Sequence, residues 1–330
     1  MNNSLSENNT NLEDDKGIIT LMYHRFDETR YPSTNIRMDI FEKQLNIIEN
    51  KNLNYIDPKD LKKKLLLFNN QKKILLTIDD GFSSFYNHAW PILKKRKIPF
   101  ILFVSTEAVG KSGYMNWSQI LEIHNSGLGL IGNHSHTHDY LVDKKDEEII
   151  NDIKKSIDLF EKNLEFSPKI FSYPFGEYSN NFKKIVENLG FEIAFGQHSG
   201  VIDPSKNLIE LPRFPINEKY GDLKRFESIL KLLPFPYKEI RPTNRYLTIN
   251  ENPPKIQISF FKEQKNLKNI TCYSNEGNLW RQSDISIDDQ KILKINIAEK
   301  FSTERGRINC SLNDKLGWRW LGIQYVIAEY

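Results

Sequence analysis

Six short apolar runs, each closed by a turn signal, constrain the fold of this chain more than any other feature. They occupy 18–23 (Ile18-Ile19-Thr20-Leu21-Met22-Tyr23), 73–78, 100–104, 128–132, 170–173 and 191–195. Near-continuous apolarity over four to six residues suits a strand covered on both faces. The segments between the runs have a different period. Phe41, Leu45 and Ile48 fall on one face of a helix predicted over 40–50. Ile149, Ile150, Ile153, Ile157 and Phe160 form the apolar stripe of a longer helix over 143–163. Further helices are predicted over 85–95, 117–126 and 182–189, the last with Gly190 as its C-cap. Strands alternating with helices imply a parallel sheet with helical crossovers. The number of units favours an α/β barrel, complete or incomplete, over an open three-layer sheet.

The pattern changes near residue 240. Arg241-Pro242-Thr243-Asn244 and Asn252-Pro253-Pro254 carry the Pro and Asn content of a linker, taken as 241–251. Beyond it, Ile256, Ile258 and Phe260 alternate, and 285–287, 292–297 and 318–328 are strand-like, with no convincing helix. The expectation for 252–330 is a small all-β sandwich. The α/β domain then spans 18–240, and 1–17, polar and Asn-rich, is expected to be disordered. A chain of 330 residues accords with about two domains. Its only cysteines, Cys272 and Cys310, both lie in strand-like surroundings of the tail, where two buried thiols and one disulfide are equally consistent readings.

Several function classes fall away. The 46 Lys and Arg against 43 Asp and Glu leave a net charge of +3, too weak a field to hold nucleic acid. No stretch approaches the roughly 20 apolar residues that span a bilayer. The N-terminus has neither the basic nor the apolar region of a signal peptide. By sequence the chain reads as cytoplasmic, with an exported form lacking its signal as the alternative.

Three of the seven histidines fall within five residues, in Asn133-His134-Ser135-His136-Thr137-His138. A lone histidine is more often structural, but three at alternating positions after a buried strand favour metal binding, neutral imidazole being the commonest metal ligand. The four-residue step lets His134 and His138 face one ion from a helical turn or a tight loop, while His136 points elsewhere. Two histidines need at least one more ligand. Asp79-Asp80-Gly81 closes the 73–78 run. Alone it reads as a turn or helix cap. Beside the histidine pair it reads as a division of labour, one carboxylate on the metal and the other free as a base. Strand ends of an α/β barrel converge on one face, so Asp80 and His134 can meet there. Ser172-Tyr173-Pro174-Phe175-Gly176 closes a third strand and is suited to presenting a main-chain N–H.

These residues carry a resemblance. Thr77-Ile78-Asp79-Asp80-Gly81 resembles the T-F-D-D-G motif of the polysaccharide deacetylase family, the carbohydrate esterases of the NodB-homology type. His134-Ser135-His136-Thr137-His138 matches its H-[S/T]-x-x-H motif. Ser172-Tyr173-Pro174-Phe175-Gly176 is similar to its R-x-P-x-G motif with Ser172 in place of the arginine. The resemblance covers about 18–235 and implies a distorted (β/α) barrel and a single divalent metal, zinc first, cobalt or nickel otherwise. It implies Asp80, His134 and His138 as ligands, Asp79 as general base and the Phe175 N–H on the oxyanion. The family's general acid is a His in an L-x-x-H motif. Leu21-Met22-Tyr23-His24 fits but stands first, an order similar to the circularly permuted branch that includes poly-N-acetylglucosamine deacetylases. His24 is therefore assigned as the acid, with His198 the alternative. With Ser172 in the arginine's place, Arg213 is the candidate partner for the base.

The implied activity is removal of acetyl groups, N-acetyl foremost, from an acetylated polysaccharide or oligosaccharide. Tyr173, Pro174, Trp117, His198 and Arg213 are candidates for substrate contact. For Trp117 core packing is the stronger expectation. Trp318 and Trp320 share a strand face, as a sugar platform or, more in keeping with their setting, a sandwich core. A carbohydrate-binding protein with a degenerate catalytic domain and a metal-dependent amidase on small amides are the competing readings.

Overall fold

The computed structural model describes residues 17–66 and 72–328. The expected disordered segment 1–17 lies outside them except for Gly17, which is buried and whose carbonyl accepts from Lys73 N at 3.0 Å.

All six apolar runs form strands of one curled sheet. Its order is Val201–Ile202, Ile18–Tyr23, Lys73–Ile78, Phe100–Val104, Gly129–Asn133, Ile170–Ser172, Ile193–Phe195. Neighbours among the six are parallel, and only Val201–Ile202 runs against them. Helices Met38–Asn50, Trp90–Arg96, Trp117–Asn125, Asp146–Leu164 and Asn180–Asn188 fill the crossovers. They sit where the apolar periodicity predicts and bury the predicted stripes: Phe41, Leu45 and Ile48 on the first, Ile149, Ile153 and Phe160 on the fourth.

Residues 211–215 bring the two ends of the curl together. Leu211 bridges Phe195 in parallel, and Phe214–Pro215 pairs in parallel with Leu21 and Met22. This irregular closing segment, too short and too proline-rich to show as a strand in the sequence, carries Arg213 into the barrel.

The tail forms two sheets over a shared core. One runs Leu233–Pro234, Gly317–Ile327, Arg305–Asp314, Ile270–Ser274, Arg281–Gln282; the other Glu239–Arg241, Ile256–Ser259, Ile292–Asn296, Asp284–Ile287. Ile256, Ile258, Leu293 and Ile295 of the second face Cys272, Ile308, Cys310 and Ile323 of the first. The stretch 241–251, read from the sequence as a linker, is woven in: Tyr246–Leu247 pairs with Val326 and Ile327. Cys272 and Cys310 sit opposite each other on adjacent strands and form a disulfide.

The two units are docked rather than tethered. Ser199 of the barrel accepts the Trp320 indole N–H at 2.7 Å, and Gly200 bridges Leu321. Trp320 packs on the barrel's core, while Trp318 is 54% exposed, so neither fills the sandwich core. Among the described residues no helix is long and apolar enough to cross a membrane.

Candidate metal centre and active site

The local chain geometry at three strand ends builds one cluster. After Ile78 the backbone turns left-handed at Asp80 (φ 73°) and Gly81 (φ 78°). Asp and Gly are the residues that bear that conformation at least cost. Asp79 N donates to Tyr23 O at 2.9 Å, which keeps Asp79 in register with the neighbouring strand while Asp80 swings aside.

After Asn133 the chain makes a tight loop, the second of the two geometries open from the sequence. Ser135 (φ 68°) and His138 (φ 57°) are left-handed, and Ser135 Oγ accepts His138 N at 3.0 Å. Asp152, in the second turn of the long helix, accepts His136 N and Thr137 N and holds the loop down. His136 turns away to Thr106 Oγ1 at 2.9 Å, as its spacing predicts. The rings of His134 and His138 are thereby brought to 4.7 Å between centroids.

Asp80 Oδ1 lies 3.4 Å from both His134 Nε2 and His138 Nε2, and the three ligand atoms fall within 4.8 Å of one another. A carbonyl only accepts, so the 2.7 Å contact between His134 Nδ1 and Ser172 O puts the ring hydrogen on Nδ1 and the lone pair on Nε2, toward the cluster. Asp80 Oδ1 and His134 Nε2 are both buried and neither has a hydrogen-bond partner. Two orphaned donor atoms aimed at one point are costly unless a cation joins them. The set of one carboxylate and two imidazoles suits a borderline divalent ion, with coordination positions left open. These residues therefore fit a metal centre.

The electrostatics agree. Burial works against ionised Asp80, but the imidazoles of His134, His24 and His138 hold its carboxyl well below the usual range. Burial, then the charge of His134, pushes His138 down to about 4, leaving it neutral and ready to ligate. Burial opposes charging of His134 too, yet Asp80 and Asp79 raise it. The proton they draw to His134 competes with a metal ion for Nε2.

Asp79 is fully buried behind this cluster, its Oδ2 3.8 Å from His134 Nε2. Arg213 grips it with both arms, Nη1 to Oδ1 at 2.7 Å and Nη2 to Oδ2 at 2.8 Å. The guanidinium also donates to Gly196 O, Thr77 Oγ1 and Ser172 Oγ. Burial would raise Asp79, but Arg213 and then His134 outweigh it and the carboxyl is held below its ordinary value. Ser172, small where the related motif has arginine, leaves room for Arg213 to enter from the closing segment. The expectation that Arg213 partners the base thus has its geometry, whereas its alternative role in touching substrate does not: it is 0% exposed.

Of the other candidates, His24 follows the strand Ile18–Tyr23, which pairs Tyr23 with Ile78, so it stands beside Asp79 at the strand ends. It is partly exposed and close enough to lower both aspartates. Phe175 is left-handed (φ 57°) at the tip of Pro174–Gly176, and its ring meets His138 at 4.6 Å. Three expected substrate contacts are corrected. Tyr173 is buried, its hydroxyl on Ile209 O, because side chains alternate along a strand and Ser172 takes the inward face. Pro174 is buried beneath the same turn. Trp117 packs edge-on against Phe160 in the core. His198, the alternative acid, lies in the interface between the two units beside Tyr178, Glu210 and Arg245, where burial lowers it to about 4.

Sequence reasoning missed Tyr140, which stacks on Phe175 at 4.2 Å, and Arg305 of the sandwich, 5.5 Å over the same ring. Both come from elements without motif character, and only spatial proximity marks them.

With the geometry established, the comparisons are informative. The family model described as polysaccharide deacetylase matches residues 68–194. The poly-β-1,6-N-acetyl-D-glucosamine N-deacetylase of Staphylococcus aureus is 27% identical over 176 residues, 49% of this chain and 58% of that protein. This chain therefore spans little more than half the length of those curated relatives. The solved structure of IcaB from Ammonifex degensii is 27% identical with a TM-score of 0.59, over 65% of this chain and 97% of its own. The Streptococcus pyogenes deacetylase PplD in complex with acetate has the same TM-score at 24% identity, over 65% and 98%, a likeness of fold. Motifs, sheet and relatives agree in likening the α/β domain of this chain to the polysaccharide deacetylases, with the family model matching residues 68–194.

Proposed function

We propose that this chain hydrolyses the acetyl groups of N-acetylated sugar units in a polysaccharide, with one divalent metal ion, zinc before cobalt or nickel, held by Asp80, His134 and His138. One observation carries the reading. Two buried ligand atoms without partners, Asp80 Oδ1 and His134 Nε2, sit beside a second carboxylate that an arginine keeps ionised and in place. A divalent ion held by these three residues would supply Lewis-acid polarisation of an acyl oxygen and would ease deprotonation of water at neutral pH. Asp79 accepts the proton of the attacking water, and the Arg213 fork fixes which of its lone pairs faces the cluster. Phe175, left-handed at its turn beside His138, offers its main-chain N–H to the developing oxyanion. His24, on the neighbouring strand end, protonates the departing amine.

The substrate class, an N-acetylated amino-sugar polymer, extends to this chain what the name of the staphylococcal relative states of that protein. The Cys272–Cys310 bridge supports the exported form over the cytoplasmic one, since disulfides persist in oxidising compartments.

The test is metal content together with acetate release from acetylated β-1,6-linked glucosamine oligomers. Wild type should hold about one divalent ion per chain and His138→Ala none. Asp79→Asn should keep the ion and lose about 10²–10⁴-fold in turnover. A wild type that stays metal-free after zinc is added back, or an Asp79→Asn variant with near-normal turnover, would sink the reading.

A further inference from the structure

The sandwich has a concavity of its own, of ≈ 290 Å³, lined by Asn275, Trp280, Thr303, Glu304, Arg305 and Arg307. Trp280 is 52% exposed and belongs to none of the hydrophobic cores. An indole left in water is unfavourable by the apolar area it exposes, which makes its position informative. Its neighbour Arg281 is tied to Glu299 at 2.8 Å, so the segment that displays the indole is anchored.

Arg305 joins this concavity to the deacetylase site. It opens the strand Arg305–Asp314, and its Nε donates to Glu177 Oε1, one residue beyond the Phe175 turn. Its guanidinium lies 5.5 Å over the Phe175 ring, and that ring lies 4.6 Å from the ring of His138. One side chain thus lines the concavity and the wall of the metal centre at once. Arg305 Nη2 is buried without a hydrogen-bond acceptor, 3.7 Å from the Glu304 carboxylate. The Arg305 side chain as a whole is 23% exposed and lines the concavity, so its charge is offered to the oxygens of a ligand there.

The chemistry of the lining matches a pyranose. Such a ring presents a face of C–H bonds and a rim of hydroxyls. An exposed indole covers the face, and planar guanidinium, carboxylate and amide groups take the rim. We propose that this concavity is a distal sugar subsite of the deacetylase, which holds a further unit of the same polysaccharide chain whose acetyl group is at the metal centre. Trp280 is its stacking platform and the Arg305 side chain its cation. The proposal rests on the function proposed above and assigns the sandwich a part in it: the second domain makes the enzyme favour long substrates.

The test measures binding and turnover of β-1,6-linked N-acetylglucosamine oligomers of increasing length by the full chain. Binding is measured calorimetrically on Asp79→Asn, so that the oligomers persist. Affinity should rise from dimer to hexamer. Trp280→Ala in that background should lose about three- to tenfold of the hexamer affinity while the dimer affinity stays as in the parent, and Trp280→Phe should recover part of the loss. A merely structural role for Trp280 would move both oligomers alike. Hexamer affinity equal to that of the dimer, or unaltered by Trp280→Ala, or no binding of any oligomer, overturns the subsite. Length-dependent binding that needs Trp280, with no acetate released by the wild type, upholds the subsite and faults the proposed activity alone.

Discussion

Replacing Arg213 with methionine tests the arrangement on which the proposed base depends. The residue is 0% exposed, and its guanidinium makes five hydrogen bonds, two of them to an equally buried Asp79. Methionine keeps much of the volume and removes the charge. Asp79 is then a buried carboxylate without its cation, and breaking such a pair from one side costs about 3–5 kcal/mol. At a urea dependence of about 3 kcal/mol per M, the unfolding midpoint falls by about 1–2 M.

The pH dependence separates this cause from lost packing. In the wild type the folded pKa of Asp79 is lowered, so its contribution is present above the unfolded value and is lost as pH falls through the folded one. In the variant burial is opposed only by His134 and His24, and the folded pKa moves up from its wild-type position toward and past the unfolded value of about 3.9. The destabilisation therefore grows as pH rises through that range. Urea unfolding in chelator, at about pH 4 and about pH 8, should show a gap already present at the lower pH, where the wild-type ion pair persists, and clearly wider at the higher, where the variant's unpaired carboxyl must ionise. In an Asp79→Asn background the same substitution should cost about 2–3 kcal/mol less. A gap equal at both pH values, or strictly additive costs in the double variant, would refute the argument that Arg213 acts through the Asp79 charge. Arg213→Lys should fall between the two, since an ammonium restores the charge without the fork.

Glu177 and the disulfide give two further tests. Burial pushes the Glu177 carboxyl up to about 7 against the opposing pull of Arg305, so its contribution to stability is full below about 4.5 and is lost as pH rises through 7. That 2.5-unit difference corresponds to about 3 kcal/mol, and Glu177→Gln should flatten the melting-temperature profile across that window; an unchanged profile would place the titration elsewhere. Cys272→Ala opens a bridge between positions 38 residues apart and should cost about 2–4 kcal/mol in the sandwich, read as a lower urea midpoint than wild type under non-reducing conditions and an equal one in reductant.

What the sequence determined by itself is what short-range pattern encodes. Strands buried on both faces must be apolar throughout, and crossover helices must be apolar on one stripe, so the parallel sheet and its helices were legible from period alone. The Asp80, His134 and His138 cluster, which could hold a metal ion, was legible as well. Asp80 lies next to a strand end, and His134 and His138 lie four apart in one loop, so each half of the site is local and only their meeting is not. Tertiary structure decided the rest. Arg213 is 134 positions from Asp79 and sits in a proline-flanked segment with no period. It reaches the carboxylate because the curl of the sheet needs a closing piece between its first and last strands. Tyr173 and Ser172 are neighbours in the sequence and lie on opposite faces of the sheet, a distinction that two-residue alternation makes only once the inward face is known. The stretch 241–251 reads as a linker since its strand is two residues long and finds its partner at 326–327. Arg305 looks like any surface arginine until the docking of the two units sets it over Phe175. In each case the deciding energy is a contact between segments far apart in the chain, for which local composition carries no signal.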